Sequence, residues 1–533
     1  MWIHAALVTT ILSAPAYQHQ HDATEKFGTV NFSTSCAPAA QAPFARAMAL
    51  LHSFEFGPAI DSYTAAAKAD PSCAIAYWGI ALSRWGNPFA AGIKPPPVLQ
   101  AGREAIAKGR EIGAKTERER AFLDAAAQLF TDFESRNQRT RVLAYRDAMK
   151  QVAARYPQDA EAAAFYALSL ASSQDPSDLT YASLLEAGKI LETLAPAQPD
   201  HPGFAHYIIH AYDAPPLASR GLAAARRYAK IAPTAPHALH MPSHTFTRLG
   251  YWQDSIDTNI ASAEAARRMK VPAEELHAMD YQMYAYLQQA QDDAAKRLLD
   301  DLAAARDRLR GPGTASAAPP LAGAYAVAAI PARYALERQA WADAAALDVV
   351  AGAFANAEAL TWFAKGIGAA RMKDLNGARA AISALEQLRA KLEQAGEVYW
   401  TEQVKIQHLG ASAWAAFADG RTEAALKLMG EAADREDRTE KNAVTPGPIA
   451  PAREMLGEML LLTKQPAPAF AAFETTLKKE PNRYRALAGA AEAARQSGNL
   501  SAARKYSQAL VGLAARADGP PRPELAAARE AAK

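Results

Sequence analysis

From Ala39 onward the chain repeats one pattern: apolar residues recur at helical spacing, in segments of about 12 to 20 residues. Short turns separate the segments, as at Phe56-Gly57-Pro58, Gly250-Tyr251-Trp252, Asp419-Gly420-Arg421 and Ser497-Gly498-Asn499. Proline closes many of the second helices, at Asp70-Pro71, Ala232-Pro233 and Glu480-Pro481. No convincing alternation of apolar and polar residues marks a strand. Such a chain can bury its apolar stripes only by stacking helix on helix. Half the residues are hydrophobic, many of them Ala, and only 8% are aromatic. That balance suits closely packed helices better than sheets.

The punctuation resembles the tetratricopeptide repeat (TPR), two helices in about 34 residues with a small residue in the turn, Ala in the second helix and Pro at its end. Ala59, Tyr63, Ala66 and Pro71 keep that spacing, as do Ala469, Phe473 and Pro481. The resemblance implies an all-α fold, a right-handed TPR-like α-solenoid of antiparallel helical hairpins. The segments expected are a signal peptide (1–16), an N-terminal tail (17–38), TPR-like repeats (39–198), His-rich central repeats (199–310) and further repeats (323–433). A charged Pro-Gly loop (434–449), C-terminal repeats (450–517) and a tail (518–533) follow. Stretches 87–135, 172–180 and 311–322 read as irregular. More narrowly, GTVNFSTSC (28–36), DPSCAIAYWGIALS (70–83), PHALHMPSHTFTRLG (236–250) and EKNAVTPGPIAPARE (440–454) resemble a family of exported bacterial TPR-repeat proteins. That resemblance implies fold and export, and no particular reaction.

The first residues, MWIHAALVTTILSAPA, read as a secretory signal with cleavage near Ala16, although His4 stands where Lys or Arg is usual. No later run reaches the roughly 18 apolar residues that span a bilayer. A secreted or periplasmic protein is expected. Lys+Arg number 58 and Asp+Glu 56, so charge gives no reason to expect nucleic acid or an anionic membrane as partner. The two cysteines, Cys36 and Cys73, exclude a cysteine-based zinc cluster. They are either two separate buried thiols or one bridge across the open end of the first hairpin. Export favours the bridge.

Histidine carries the sharpest signal. Seven of the 12 His fall between His201 and His277, where even scattering would give about two. His206 and His210 are four residues apart and share a helical face, as do His240 and His244. The two pairs are 34 residues apart, one repeat period, which sets them at the groove-facing fifth and ninth positions of neighbouring first helices. His237 takes the second position of its helix, and Asp213 follows His210 at the twelfth. With the next helix registered on Ala295, His277, Asp280 and Tyr284 take its second, fifth and ninth positions. Six His and up to two Asp from three helices then face one patch, and imidazoles from adjacent rows can converge on one ion. Imidazole with carboxylate suits a transition metal, zinc or copper above all. Asp213, Asp280 or Tyr284 would be ligands or acceptors that fix the His tautomers. The excess of imidazoles could also supply a base or a second site.

Other candidates are weaker. Tyr17-Gln18-His19, freed by cleavage, could bind Cu²⁺ through amine, amides and imidazole, but reads better as a solvated tail. Glu454 and Glu458 pair on one helix face and read as an acidic stripe. Trp78, Leu82 and Trp85, with His52, could cradle an apolar ligand but fit inter-repeat core better. No phosphate loop, Ser-His-Asp order or HExxH segment is present. The preferred function is metal binding in the groove, with catalysis left open. The alternative is a scaffold that binds a peptide or protein there without metal.

Overall fold

In the computed structural model, residues 25–90, 92–310, 316–352 and 354–532 are described. The signal segment and Tyr17-Gln18-His19 lie outside them. Helical hairpins follow one another: α1 (Pro38–His52) with α2 (Phe56–Ala69), α3 (Ile75–Trp85) with α4 (Pro96–Ile112), α5 (Glu117–Ala127) with α6 (Gln138–Arg155), and α7 (Ala160–Ser172) with α8 (Ala182–Leu194). Next come α9 (Pro202–Ala211) with α10 (Ala218–Ile231), the broken helix α11 (Pro236–His240) and α12 (Pro242–Leu249) with α13 (Trp252–Met269), and α14 (Pro272–Gln288) with α15 (Asp292–Arg308). The second half holds α16 (Pro320–Glu337) with α17 (Trp341–Ala346), α18 (Ala355–Arg371) with α19 (Leu375–Gln394), and α20 (Val398–Ala418) with α21 (Thr422–Asp437). Then α22 (Ala452–Leu462) pairs with α23 (Pro466–Lys479) and α24 (Tyr484–Gln496) with α25 (Leu500–Leu513), before a final α26 (Pro523–Ala531). Among the described residues there is no strand, and the architecture is an α-solenoid of antiparallel hairpins.

Local chemistry sets the helix starts. Proline stands in the first turn of α1, α9, α11, α12 and α14, where a missing N–H costs nothing. Thr116, Asn137 and Asp159 accept backbone N–H bonds and cap α5, α6 and α7. Alanine lets the helices approach closely, and Trp78, Phe32, Phe122 and Phe165 fill the space beneath them. Trp78, Leu82 and Trp85 are buried core.

Several segments differ from their sequence-based expectation. The stretch 87–135 holds α4 and α5. Its Pro95-Pro96-Pro97 run and charged surface hide the helical period, and burial of Leu99, Ile106, Phe122 and Leu123 restores it. Residues 25–37 are packed: Phe27, Val30 and Phe32 are buried, and Thr29 donates to the Asp200 carbonyl. Cys36 and Cys73 are disulfide-bonded. The charged run 434–437 ends α21, and 523–531 is helical.

The superhelix curls until its C-terminal repeats meet the central ones. Trp252 Nε1 donates to the Asn482 carbonyl at 2.8 Å, and Asn482 Nδ2 to the Gly250 carbonyl at 3.3 Å. Gly250 has φ +67° and faces the Pro481 carbonyl so closely that a Cβ would collide with it. Arg483, the N-cap residue of α24, is buried against Glu337 and Glu454. Glu458 pairs with Arg371 instead, so the two glutamates form no acid/base couple.

The groove is therefore not open along its length. The strap 438–451, between α21 and α22, runs across the concave face. Asn442 N–H donates to Tyr399, the Tyr281 hydroxyl meets the Ala443 and Thr445 carbonyls, and Arg333 donates to the carbonyls of Gly447 and Pro448.

Candidate metal centre

Three first helices deliver the histidines. His206 and His210 leave one face of α9. Pro242 has no N–H for the Ala238 carbonyl, so the next helix breaks at Met241, with His237 and His240 on α11 and His244 on α12. His277 lies in the second turn of α14. All six are buried.

They gather as two triads. His206, His210 and His237 form one, and His240, His244 and His277 the other; within each, one nitrogen per ring lies within 4.8 Å of the others. His206 Nε2 is 3.1 Å from Nε2 of both His210 and His237, and His240 Nε2 is 3.1 Å from His244 Nε2. The expectation that the two pairs grip one ion between them is corrected. Each i, i+4 pair instead meets the single histidine at the start of the following helix, because that helix's first turns lie beside the middle of its predecessor. The triads adjoin, with ring centroids 6.1 Å apart for His210 and His244 and 6.2 Å for His237 and His240.

The outer nitrogens fix the tautomers. His206 Nδ1 is 2.7 Å from the carbonyl of His52, the last residue of α1, where helix carbonyls lack a partner. His240 Nδ1 is 2.6 Å from Asn259 Oδ1, whose amide group donates to the Ser255 carbonyl and so must turn its oxygen to the ring. His244 Nδ1 is 2.8 Å from Asp213 Oδ2. Each of these acceptors requires Nδ1–H, which leaves a lone pair on Nε2. Burial holds the six imidazoles below the ordinary histidine value, His206 and His277 at about 3. They are neutral at neutral pH, the state that binds metal. His240 and His244 thus aim two lone pairs at each other across 3.1 Å with no proton between them. Two ligands of a tetrahedral zinc, each 2.0–2.1 Å from the ion, stand about 3.3 Å apart.

The carboxylates do not join either triad. Asp213 is an outer acceptor: besides His244 it takes Arg248 Nε at 2.9 Å and Lys441 Nζ at 3.2 Å. Burial alone would raise its carboxyl, but Lys441, Arg248 and His244 hold it well below the usual range. Asp280 is corrected as a ligand: it turns to Arg333, 2.8 Å away and equally buried. Tyr284 is likewise taken, donating to Glu480 at 2.7 Å. The register of α14 places Tyr281, one turn after His277, where Asp280 was expected. Its ring lies 4.7 Å from His240, 5.3 Å from His244 and 5.2 Å from His277. The i, i+4 spacing from His277 was the available signal for it. Asn259 and the His52 carbonyl had none, since both come from outside the histidine helices.

Beside the first triad lie two buried acids. Glu274 Oε2 is 4.0 Å from His237 Nδ1. Burial raises Glu274 to about 7, and burial together with Glu274 raises Glu55 to about 8. A third cluster sits behind His206. Glu161 receives His52 Nε2 at 2.9 Å and His201 Nε2 at 2.8 Å. There each His–Glu161 contact pairs a donor with an acceptor, while the buried His201 Nδ1 has no partner.

A cleft of about 510 Å³ opens between the α6–α8 side and the strap, lined by Phe89, His210, Asp213, Tyr399, Lys441 and Asn442 among others.

No family model and no curated protein matches the chain. Among solved structures it is similar to the human IFIT1 dimer with PPP-AAAA (10% identity, 83% of this chain and 91% of that one, TM-score 0.39). It is also similar to the human IFIT1 dimer with m7Gppp-AAAA (9%, 83% and 90%, 0.36) and to Naa15/Naa10 bound to HypK-THB (12%, 89% and 70%, 0.23). At that identity the likeness concerns helical arrangement alone. Among the described residues no helix is long and apolar enough to cross a membrane.

Proposed function

We propose that this protein is an exported transition-metal-binding solenoid that holds zinc or copper ions in two adjacent three-histidine sites. The observation that carries the reading is the facing of the His240 and His244 Nε2 lone pairs at 3.1 Å, with both Nδ1–H protons committed elsewhere. Buried lone pairs at that distance repel unless a cation lies between them, and the imidazoles are too deeply buried to supply it by protonation. Three protein ligands with a free position is the arrangement of catalytic rather than structural zinc. The disulfide supports export, since such bonds persist in oxidising compartments.

The alternative, a groove for a foreign peptide, is less favoured. At the histidine repeats the chain's own strap already makes the contacts a peptide would make, through Asp213, Tyr281 and Arg333.

The test is metal analysis of untagged protein purified from the exported fraction. Two equivalents of metal are expected, falling to one in His206→Ala and to one in His240→Ala, with His408→Ala, on α20 and outside both triads, unchanged. Metal-free protein that binds neither Zn²⁺ nor Cu²⁺ tightly would leave the peptide scaffold.

A further inference from the structure

The two triads have different surroundings. Of the six histidines, only His210 lines the 510 Å³ cleft. Phe89 stacks on its ring at 3.9 Å. The rest of the first triad is bordered by Phe54, whose ring lies 4.4 Å from His206, 5.8 Å from His210 and 5.4 Å from His237. Phenylalanine offers an ion no donor atom. The second triad is roofed by Tyr281, whose hydroxyl is 3.5 Å from His244 Nε2. Above that hydroxyl lie the strap carbonyls of Ala443 and Thr445. One site thus borders the cleft through His210, beside phenylalanines that supply no donor atom, and the other faces a phenol under the strap.

We propose that the two sites differ in kind: His206, His210 and His237 hold an ion whose free position takes a small anion from the cleft, while His240, His244 and His277 hold an ion closed off beneath Tyr281. This rests on the metal reading above. The ligand class follows from charge. Three neutral imidazoles leave a divalent ion uncompensated by its own ligands in a buried site. Glu274 lies at His237 Nδ1, across the ring from the Nε2 that meets the triad, so it gives the ion no donor atom. Of the carboxylates lining the cleft, Asp213 is already engaged by Arg248, Lys441 and His244, and Glu440 by Arg248. An anion with one donor atom, hydroxide first among them, both fills the position and lowers the charge. An anion such as azide would displace a water from the ion into the cleft, whereas hydroxide would form from that water by loss of a proton to solvent in the cleft.

The experiment loads the untagged full chain with Co²⁺, counts the bound cobalt, and titrates with azide while recording the visible spectrum. Two cobalt ions are expected, with azide changing the bands of one. His210→Ala should lose one cobalt and the azide response together. His244→Ala should lose one cobalt and keep the response. Proton NMR of the wild-type cobalt protein gives a reading that needs no variant to fold: the His206 Nδ1–H signal should move with azide, and those of His240 and His244 should stay. Equal response of both ions, no response, or movement of the His244 signal would overturn the asymmetry. A folded wild-type protein that binds no cobalt would instead sink the metal reading on which it rests.

Discussion

Replacing Asp213 by Asn keeps the shape of a side chain on which three groups depend and removes only its charge. In the wild type, Asp213 takes Arg248 at 2.9 Å, Lys441 at 3.2 Å and His244 Nδ1 at 2.8 Å, with all three partners buried. Arg248 retains Glu440 at 3.3 Å, so Lys441 is the cation left without a close anion. Breaking a buried pair from one side costs about 3–5 kcal/mol, and the retained Glu440 contact points to the lower end. A stack of repeats does not unfold as one unit. The loss is therefore read locally, as faster hydrogen exchange in α12 and in the strap. The metal effect is separate. Asn can still turn its oxygen to His244 Nδ1–H, but a neutral acceptor makes the imidazole a poorer ligand, and loss of such a partner typically costs 10–100-fold in affinity. That loss should fall on the site of His240, His244 and His277 alone. The Asp213 carboxyl is depressed, so its contribution is present above the unfolded Asp value near 3.9 and disappears only as pH falls through the lower folded value. The wild-type advantage over Asp213→Asn should hold from neutral pH down to about pH 4 and shrink below it. Second-site affinity within threefold of wild type, or an equal loss at both sites, would refute the outer-acceptor role.

Three further outcomes concern the N-terminal hairpins, α1 to α8. Cys73→Ser opens a loop with a sequence separation of 37, worth about 4 kcal/mol in the chain-entropy model, and limited proteolysis should then cut within residues 25–73 before any other repeat. Unreduced wild-type protein should show no free thiol on denaturation. Burial alone would raise Glu161, but His52 and His201 hold it at about 2. Its stabilisation is present above the unfolded Glu value near 4.3 and is lost as pH falls toward 2. Glu161→Gln should lower stability at pH 7 and flatten that acid limb in denaturation followed by circular dichroism.

Much of this molecule was legible in the order of its residues. Helical spacing, turn residues and closing prolines are local signals, and they marked the hairpins because each helix answers mainly to its own chain. The histidine pairs were legible for the same reason: i, i+4 places two rings on one face in any α-helix, and a 34-residue period repeats that face in the next hairpin. The bridge between Cys36 and Cys73 was one of two readings, allowed by the ends of one hairpin meeting and favoured by the expected export. The partition of six histidines into two triads did not follow. It depends on how far each helix is offset along its neighbour, a property of packed surfaces that no single segment encodes. Asp280 turned to Arg333 and Tyr281 took its place because one residue of register rotates a helical side chain by about 100°. The strap over the site joins residues more than 160 apart, Tyr281 with Ala443 and Asp213 with Lys441. Only the return of the C-terminal half onto the central repeats brings them together, and with them come the burial that keeps the imidazoles neutral and the cleft that His210 lines.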